Sequence, residues 1–183
     1  MTGVQTCALP ICRAVSAAGD VNGDGFDDLV VGAYRAVPNG DSSGASYVVF
    51  GKAGGFAATI NLNTLDGSNG FRLDGVAASD LSGGAVSAAG DVNGDGFDDL
   101  VVGADGADPN GSRSGASYVV FGKASGFAAS INLNTLNGSN GFRLDGVATY
   151  DQSGRAVSAA GDVNGDGFDD LVVGAGGAGP NGC

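Results

Sequence analysis

Short apolar segments alternate with polar, glycine-rich segments along the whole chain. The clearest apolar segments are DLVVGA at 99–104 and ASYVVFG at 116–122, which are rich in β-branched and aromatic residues. AVSAAG at 85–90 consists of small residues around one valine, and FRLDG at 142–146 alternates apolar with polar positions. Turn-forming clusters such as PNG, SGA and NGSNG separate these segments. No segment has a sustained helical period, so the pattern predicts an all-β unit of four short strands.

This four-strand pattern recurs along the chain. The segment GDVNGDGFDDLVVGA begins at Gly19, Gly90 and Gly161, a spacing of 71 residues, so the 183 residues hold about two and a half units. We predict repeats at 13–83, 84–154 and 155–183, of which the last is truncated. Residues 1–12 match no repeat, and we expect them to be a non-native, adapter-derived segment.

A β-propeller accounts for the character of the predicted strands. The first strand of each unit has small side chains, which suit the crowded central axis of a propeller. The runs LVV and YVVF are continuously apolar, as expected for a sheet covered on both faces by neighbouring blades. A β-sandwich and a β-solenoid are the alternatives, although a 71-residue unit is long for a solenoid coil and sandwiches rarely repeat so faithfully. We therefore predict about two and a half propeller blades, each of four antiparallel strands.

Composition restricts the possible partners. The formal net charge is −12, and so acidic a chain repels phosphate backbones and attracts cations. Apolar runs of about four or five residues fall far short of the roughly 20 that span a bilayer. The chain has no histidine, and its three cysteines are Cys7, Cys12 and Cys183. We expect no nucleic-acid binding, no membrane insertion and no disulfide framework.

The segment DVNGDGFDD carries the candidate chemistry. Oxygen-bearing side chains occupy its first, third, fifth and ninth positions, and the seventh residue, a phenylalanine, would offer its carbonyl while its ring packs into the blade. Ca²⁺ takes about six to eight oxygen ligands, and hard oxygen donors favour it over zinc or copper. The sequence predicts three structural Ca²⁺ sites, formed by Asp20, Asn22, Asp24, Phe26 and Asp28, by Asp91, Asn93, Asp95, Phe97 and Asp99, and by Asp162, Asn164, Asp166, Phe168 and Asp170.

Two other interpretations of this loop are possible. An EF-hand needs glutamate at the twelfth position, where this chain has Val31, Val102 and Val173, and it leads into a helix rather than a strand. A plain Asx/Gly turn would bind nothing. However, three carboxylates in one small loop repel each other unless a cation lies between them. A nine-residue calcium loop is therefore preferred.

The loop, the strand that follows it and the VVFG segment together resemble the FG-GAP repeat of integrin α-subunit β-propellers and their bacterial relatives. Phe50-Gly51 and Phe121-Gly122 match the FG element. The start of the GAP element is matched by Gly32-Ala33, Gly103-Ala104 and Gly174-Ala175, but its proline is replaced by Tyr34, Asp105 and Gly176. The resemblance extends from Arg13 to the C-terminus. It implies four-stranded blades with Ca²⁺ in the loop that joins the two inner strands.

The resemblance also implies further blades. Similar propellers close with seven blades, which at this repeat length needs about 500 residues. We therefore expect the chain to be part of a larger secreted or cell-surface protein, with the remaining blades of that parent chain as partners.

Differences between the repeats point to a ligand face. The metal loops are identical, whereas 34–43 differs from 105–114 at five of ten positions and 75–84 differs from 146–155 at four of ten. In such a blade these divergent loops lie on the face opposite the calcium loops. We predict that this face contacts a protein or glycan ligand, with Tyr34, Arg35, Arg113, Tyr150 and Arg155 as candidate contacts. Drift of a solvated surface is the alternative.

No catalytic constellation emerges from the sequence. A G-x-S-x-G pattern at 40–44 has Arg113 in place of its serine in the next repeat, and the chain has no histidine for a triad. We expect a non-catalytic, calcium-stabilised propeller segment that serves adhesion or partner recognition outside the cell. The alternatives are a propeller module of a secreted lyase or phospholipase, and a carbohydrate-binding, lectin-like propeller.

Overall fold

A computed structural model describes residues 13–179. The predicted adapter-derived segment 1–12 and all three cysteines lie outside the described residues. The described chain contains eleven strands and two single-turn 3-10 helices, Leu62–Thr64 and Leu133–Thr135, but no α-helix. The strands are β1 (Ala14–Gly19), β2 (Asp28–Ala33), β3 (Ala45–Val49), β4 (Gly70–Asp74), β5 (Ala85–Gly90), β6 (Asp99–Ala104), β7 (Ala116–Val120), β8 (Ser130–Asn132), β9 (Gly141–Asp145), β10 (Ser153–Gly161) and β11 (Asp170–Ala175).

The strands form three sheets, one for each predicted repeat. The first has the order β1-β2-β3-β4-β8, the second β5-β6-β7-β9 and the third β10-β11. Within each sheet, consecutive strands from the same repeat pair antiparallel. The predicted all-β architecture of four-stranded antiparallel propeller blades is confirmed, and we call the three sheets blades 1, 2 and 3.

Blade 1 differs from the prediction by one additional strand. β8 comes from the second repeat but pairs parallel to β4 of blade 1, with Arg72 opposite Ser130 and Asp74 opposite Asn132. The amide of Arg72 also donates to the carbonyl of Ala129 at 3.0 Å. The second repeat therefore completes the outer edge of the first blade.

The main core lies between blades 1 and 2. It contains Val30, Val48 and Leu73 from blade 1 together with Leu100 and Val102 from blade 2. The valine of β1, Val15, is 63% exposed, whereas Val86 at the same position of β5 is 7% exposed. Blade 2 is thus covered on the side where blade 1 has no neighbour among the described residues.

Small residues allow the inner strands of adjacent blades to approach closely. β5 lies against β1 on one side and against β10 on the other. A Cβ on Gly32 would collide with the carbonyl oxygen of Gly83, and a Cβ on Gly103 would collide with that of Gly154. The second strand of one blade therefore has no room for a side chain at Gly32 or Gly103, where the next blade begins against it. No helix within 13–179 has the length and apolarity needed to cross a membrane.

Candidate metal centre

The candidate metal loops connect the first two strands of each blade. A β-bulge precedes each loop. It is seen as a shift in strand register between Ala17 and Gly19 in blade 1 and at the same place in blades 2 and 3. Gly19 has a φ of +71° and Gly25, at the sixth position of the loop, has a φ of +86°. These left-handed conformations favour glycine and curl the loop sharply.

The side-chain oxygens of the loop turn back onto its own backbone. In the first loop, Asp20 accepts hydrogen bonds from the amides of Asp24 at 3.0 Å and Gly25 at 2.8 Å. Asn22 accepts from the Asp24 amide at 3.0 Å, and Asp24 accepts from the Phe26 amide at 3.0 Å. The same bonds recur around Asp91 and Asp162, so the three loops have one conformation.

The loop aspartates differ in burial and in charge environment. The ninth-position side chains of Asp28 and Asp99 are buried. Burial is the main cause that raises the pKa of Asp28 to about 6, and the charges of Asp24 and Asp20 raise it further. The pKa of Asp99 is raised to about 7 by burial and by Asp95 and Asp91. The exposed Asp162 behaves oppositely, because its bond from the Gly167 amide lowers its pKa.

The donor set fits Ca²⁺ in kind. Each loop offers carboxylates, one asparagine oxygen and a backbone carbonyl, all of which are hard ligands. Among residues 13–179, no three or more carboxylate or thiol side chains converge closely enough to hold a metal ion by themselves. A complete site therefore needs the asparagine and carbonyl oxygens as well. It also requires that the carboxylate oxygens, which here accept hydrogen bonds from backbone amides, turn towards the ion.

The phenylalanine ring of each loop is placed differently from the prediction. We expected the ring to pack into the blade. Instead, the ring of Phe97 lies against Gly23 of the loop in blade 1, and the ring of Phe168 lies against Gly94 in blade 2. Phe26 has no preceding loop among the described residues to contact in this way. The ring therefore belongs to the contact between blades.

The eighth position of the loop was missed by the sequence analysis. Asp98 accepts a hydrogen bond from the Asp20 amide at 2.7 Å, and Asp169 accepts one from the Asp91 amide at 2.9 Å. The only signal in the sequence was a second aspartate before the ninth position, which the ligand pattern does not require. Its partner lies 78 residues away in another blade.

Three of the five candidate ligand contacts lie together. Tyr34, Arg35 and Arg113 line a cavity of about 730 Å³ between the loops of blades 1 and 2, beside Asp41 and Asp108. The guanidinium of Arg35 lies 5.3 Å from the centre of the Tyr34 ring, which is cation–π range. The cavity thus combines an aromatic surface with charges of both signs.

The other two candidates lie at the next junction. Tyr150 occupies in the second repeat the place that Ser79 has in the first, and its amide donates to the Ser112 carbonyl at 2.8 Å. Arg155 donates to the side chain of Gln152 at 2.8 Å. Neither residue lines the cavity that contains Tyr34.

Known proteins share this combination of loops and strands. The family model described as FG-GAP repeat matches residues 13–49, 82–120 and 153–182. The chain is 33% identical over 162 residues to integrin alpha-PS5 of Drosophila melanogaster, which covers 88% of this chain and 14% of that protein. It is 35% identical over 178 residues to integrin alpha pat-2 of Caenorhabditis elegans, covering 91% of this chain and 13% of the relative.

A second class of relative is an enzyme by name. The chain is 33% identical over 172 residues to phosphatidylinositol-glycan-specific phospholipase D of Rattus norvegicus, covering 92% of this chain and 19% of that protein. The chain thus spans less than a fifth of the length of these relatives. The match of the family model to three segments, together with the blades that contain them, shows that the chain belongs to the FG-GAP repeat family.

Proposed function

We propose that this chain is a calcium-stabilised propeller segment in which the loop between the first two strands of each blade binds one Ca²⁺ ion. The observation that carries the proposal is the arrangement of the loop aspartates. Asp24 and Asp20 lie close enough to the buried Asp28 for their charges to raise its pKa. A bound cation would offset this repulsion.

The proposed role of the ion is structural. Ca²⁺ would supply the positive charge that lets the loop carboxylates stay ionised together. Asp20, Asn22 and Asp24 would bind from the exposed part of the loop, the Phe26 carbonyl from its end, and Asp28 from the buried side; the corresponding residues of the other loops would do the same. Sites of extracellular modules bind Ca²⁺ with a Kd of about 10⁻⁴–10⁻³ M. At tenfold excess over Kd, each ion would add about 1.4 kcal/mol to the free energy of unfolding.

Calcium titration by calorimetry, with thermal unfolding followed at each step, tests the proposal. We expect about three ions per chain and a Tm that rises with calcium and falls again with EDTA. Asp24→Ala, Asp95→Ala and Asp166→Ala should each remove one site. Asp27→Ala is the matched control, since it removes a charge from the same loop without removing a proposed ligand. A chain that is folded by circular dichroism and binds no calcium at millimolar concentration would refute the proposal.

We further propose recognition of a partner on the face opposite the loops. The relatives include integrin α-subunits and a phospholipase D, so membership of the family leaves both adhesion and a role beside a catalytic domain open. We favour non-catalytic adhesion or recognition by a secreted or cell-surface protein. The support is the cavity lined by Tyr34, Arg35 and Arg113, whose mixed charges suit a polar protein or glycan ligand.

Binding to glycan arrays and to immobilised extracellular proteins tests this second proposal. Arg35→Ala and Arg113→Ala should each weaken capture of any ligand found, whereas Arg155→Ala, outside the cavity, should weaken it less. If all three variants captured the ligand as well as the native protein does, the sequence differences on this face would be explained by drift of a solvated surface.

The open sides of the blades suggest a further partner. Val15 and Leu29 are exposed on blade 1, and Val163 and Val172 are exposed on blade 3. We propose that further blades of a parent chain cover these apolar residues, as blade 2 is covered by its two neighbours. A longer segment of the parent protein that includes the adjoining blades should melt at a higher temperature than this chain.

A further inference from the structure

The first residue of each of the first two proposed calcium loops is held by the following blade. Asp98 accepts the Asp20 amide at 2.7 Å, and the Asp98 amide donates to the Asp20 carbonyl at 3.3 Å. Between blades 2 and 3, Asp169 makes the same two bonds with Asp91, at 2.9 and 3.1 Å. Both backbone groups of the loop's first residue are therefore bound from outside its own blade. We call this pair of bonds the interblade clamp.

The backbone next to the clamp has no room for any residue larger than glycine. A Cβ on Gly19 would collide with the carboxylate of Asp98, and a Cβ on Gly90 would collide with that of Asp169. The ring of Phe97 covers Gly23 in the same loop, and the Lys123 amide donates to the Val21 carbonyl at 3.0 Å. The first loop and the residue before it are thus in contact with blade 2 at four positions, which are Gly19, Asp20, Val21 and Gly23.

The third loop has the same sequence but no clamp among the described residues. Gly161 and Gly165 have φ values of +68° and +77°, as in the other loops, yet nothing lies within 4 Å of a Cβ built on either one. Asp27 occupies the clamp position of the first repeat and is exposed, and no hydrogen bond of its side chain is found among residues 13–179. The chain therefore contains clamped and unclamped copies of one loop.

We propose that Asp98 and Asp169 are positioning residues that set the calcium affinity of the preceding blade's loop, so that the three identical loops are unequal sites. This inference rests on the calcium binding proposed above. Asp20 supplies the first ligand, and its side chain can reach the ion only if its backbone stays in place. The clamp orders that backbone before an ion arrives, so less conformational entropy is lost on binding. Outer-shell partners of metal ligands typically change metal affinity by about 10- to 100-fold.

The coupling is reciprocal. If the contact between blades raises the calcium affinity of the loop, calcium in the loop must strengthen the contact between blades by the same factor. Calcium would thus act on the association of blades as well as on the hairpin that binds it.

Calorimetric calcium titration of single-site variants tests the clamp. Asp95→Ala with Asp166→Ala leaves only the first loop, whereas Asp24→Ala with Asp95→Ala leaves only the third. We expect the isolated third loop to bind calcium about 10- to 100-fold more weakly than the isolated first loop. Equal dissociation constants for the two would overturn the inference, and this comparison leaves Asp98 itself unaltered.

Variants of Asp98 in the background with only the first loop separate the hydrogen bond from the charge. Asp98→Ala should weaken calcium binding by about 10- to 100-fold. Asp98→Asn should recover most of the loss, because its amide oxygen can still accept the Asp20 amide. Asp27→Ala is the matched control, and it should leave the calcium affinity of the folded protein unchanged. Equal losses in both Asp98 variants would show that only the charge matters and would overturn the positioning role.

The outcomes distinguish the two proposals. If the background protein is folded by circular dichroism and binds no calcium, the proposed function fails and the clamp inference falls with it. If it binds calcium, but the Asp98 variants bind it as tightly as the background protein and the isolated first and third loops have equal dissociation constants, only the clamp inference fails.

Discussion

The rings of Phe71 and Phe127 stack at a centroid distance of 4.6 Å and an interplanar angle of 5°, although they come from different repeats. Phe50 of the FG element completes the cluster, with edge contacts of 5.8 Å to Phe71 and 5.5 Å to Phe127. The segment that joins β7 to β8 therefore contributes a side chain to the core of the preceding blade. The counterpart of Phe127 in the first repeat, Phe56, has no such cluster to join among the described residues.

Phe127→Ala should destabilise the protein far more than Phe56→Ala. Phe127 is 7% exposed and Phe56 is 55% exposed. Truncation of a buried phenylalanine typically costs about 3–5 kcal/mol, whereas changes at exposed positions usually stay within about 0.5 kcal/mol. Urea unfolding of the two variants in saturating calcium measures the difference. Similar losses would mean that the stacked ring adds little to the core.

Gly90→Ala should be more destabilising than Gly161→Ala. Both glycines have positive φ, +74° and +68°, so alanine is strained at either site by about 1–2 kcal/mol. Only at Gly90 would the new Cβ also collide with Asp169. Thermal unfolding in EDTA isolates this effect from calcium binding. Equal shifts in Tm for the two variants would show that the Asp169 side chain moves aside without loss of stability.

Asp80→Asn should change how stability depends on pH. Burial raises the pKa of Asp80, the charge of Asp108 raises it further and that of Arg143 lowers it; Tyr118 is the other titratable neighbour. The folded state thus holds the Asp80 proton more tightly than the unfolded chain does. Stability of the native protein should therefore decline, relative to the variant, as the pH rises from below 3.8 through the raised pKa.

Asp151→Asn is the matched control for this pH effect. Asp151 accepts the Ala148 amide at 2.8 Å, just as Asp80 accepts the Ala77 amide at 2.9 Å, but Asp151 is less buried. Unfolding curves of the native protein and both variants between about pH 3 and pH 7 should show a difference from the native protein that changes with pH for Asp80→Asn. Parallel pH profiles for all three proteins would contradict the assignment.

Arg72→Ala should cost more than Arg143→Ala. Arg72 pairs with Asp74 through two hydrogen bonds, of 2.5 and 3.0 Å, and the Asp74 side chain is only 12% exposed. The corresponding Asp145 side chain is 34% exposed. An exposed pair contributes about 0.2–1 kcal/mol, whereas loss of one partner from a buried pair costs about 3–5 kcal/mol. We expect about 1–2 kcal/mol for Arg72→Ala and less than half of that for Arg143→Ala, measured by urea unfolding.

Local sequence was sufficient to predict the strands of each blade. The predicted segments 85–90 and 99–104 coincide with β5 and β6, because their residue types favour strands and polar or glycine residues stand on either side of them. β8 was not predictable in this way. It has only three residues, and its partner Leu73 belongs to the preceding repeat, so nothing local to Ile131 marks it as a strand.

Contacts between blades limited what could be predicted of the site. The loop pattern indicated candidate ligands such as Asp20, and their assignment stays a prediction. The bond from Asp20 to Asp98 depends on how one blade is placed against the next, which residue spacing within a repeat does not encode. The same limit applies to the ligand face, where Tyr34 and Arg113 share a cavity that Tyr150 does not line.

The parallel pairing of β8 with β4 has a consequence for biosynthesis. Blade 1 contains its own four strands by Asp74, but its sheet is completed only when Asn132 is available to pair. A ribosome must therefore translate most of the second repeat before the first blade can take its final form. During that interval the edge of β4 and the face of Phe71 are open to incorrect pairing. Translational pausing between codons 75 and 130 should then increase aggregation of the nascent chain.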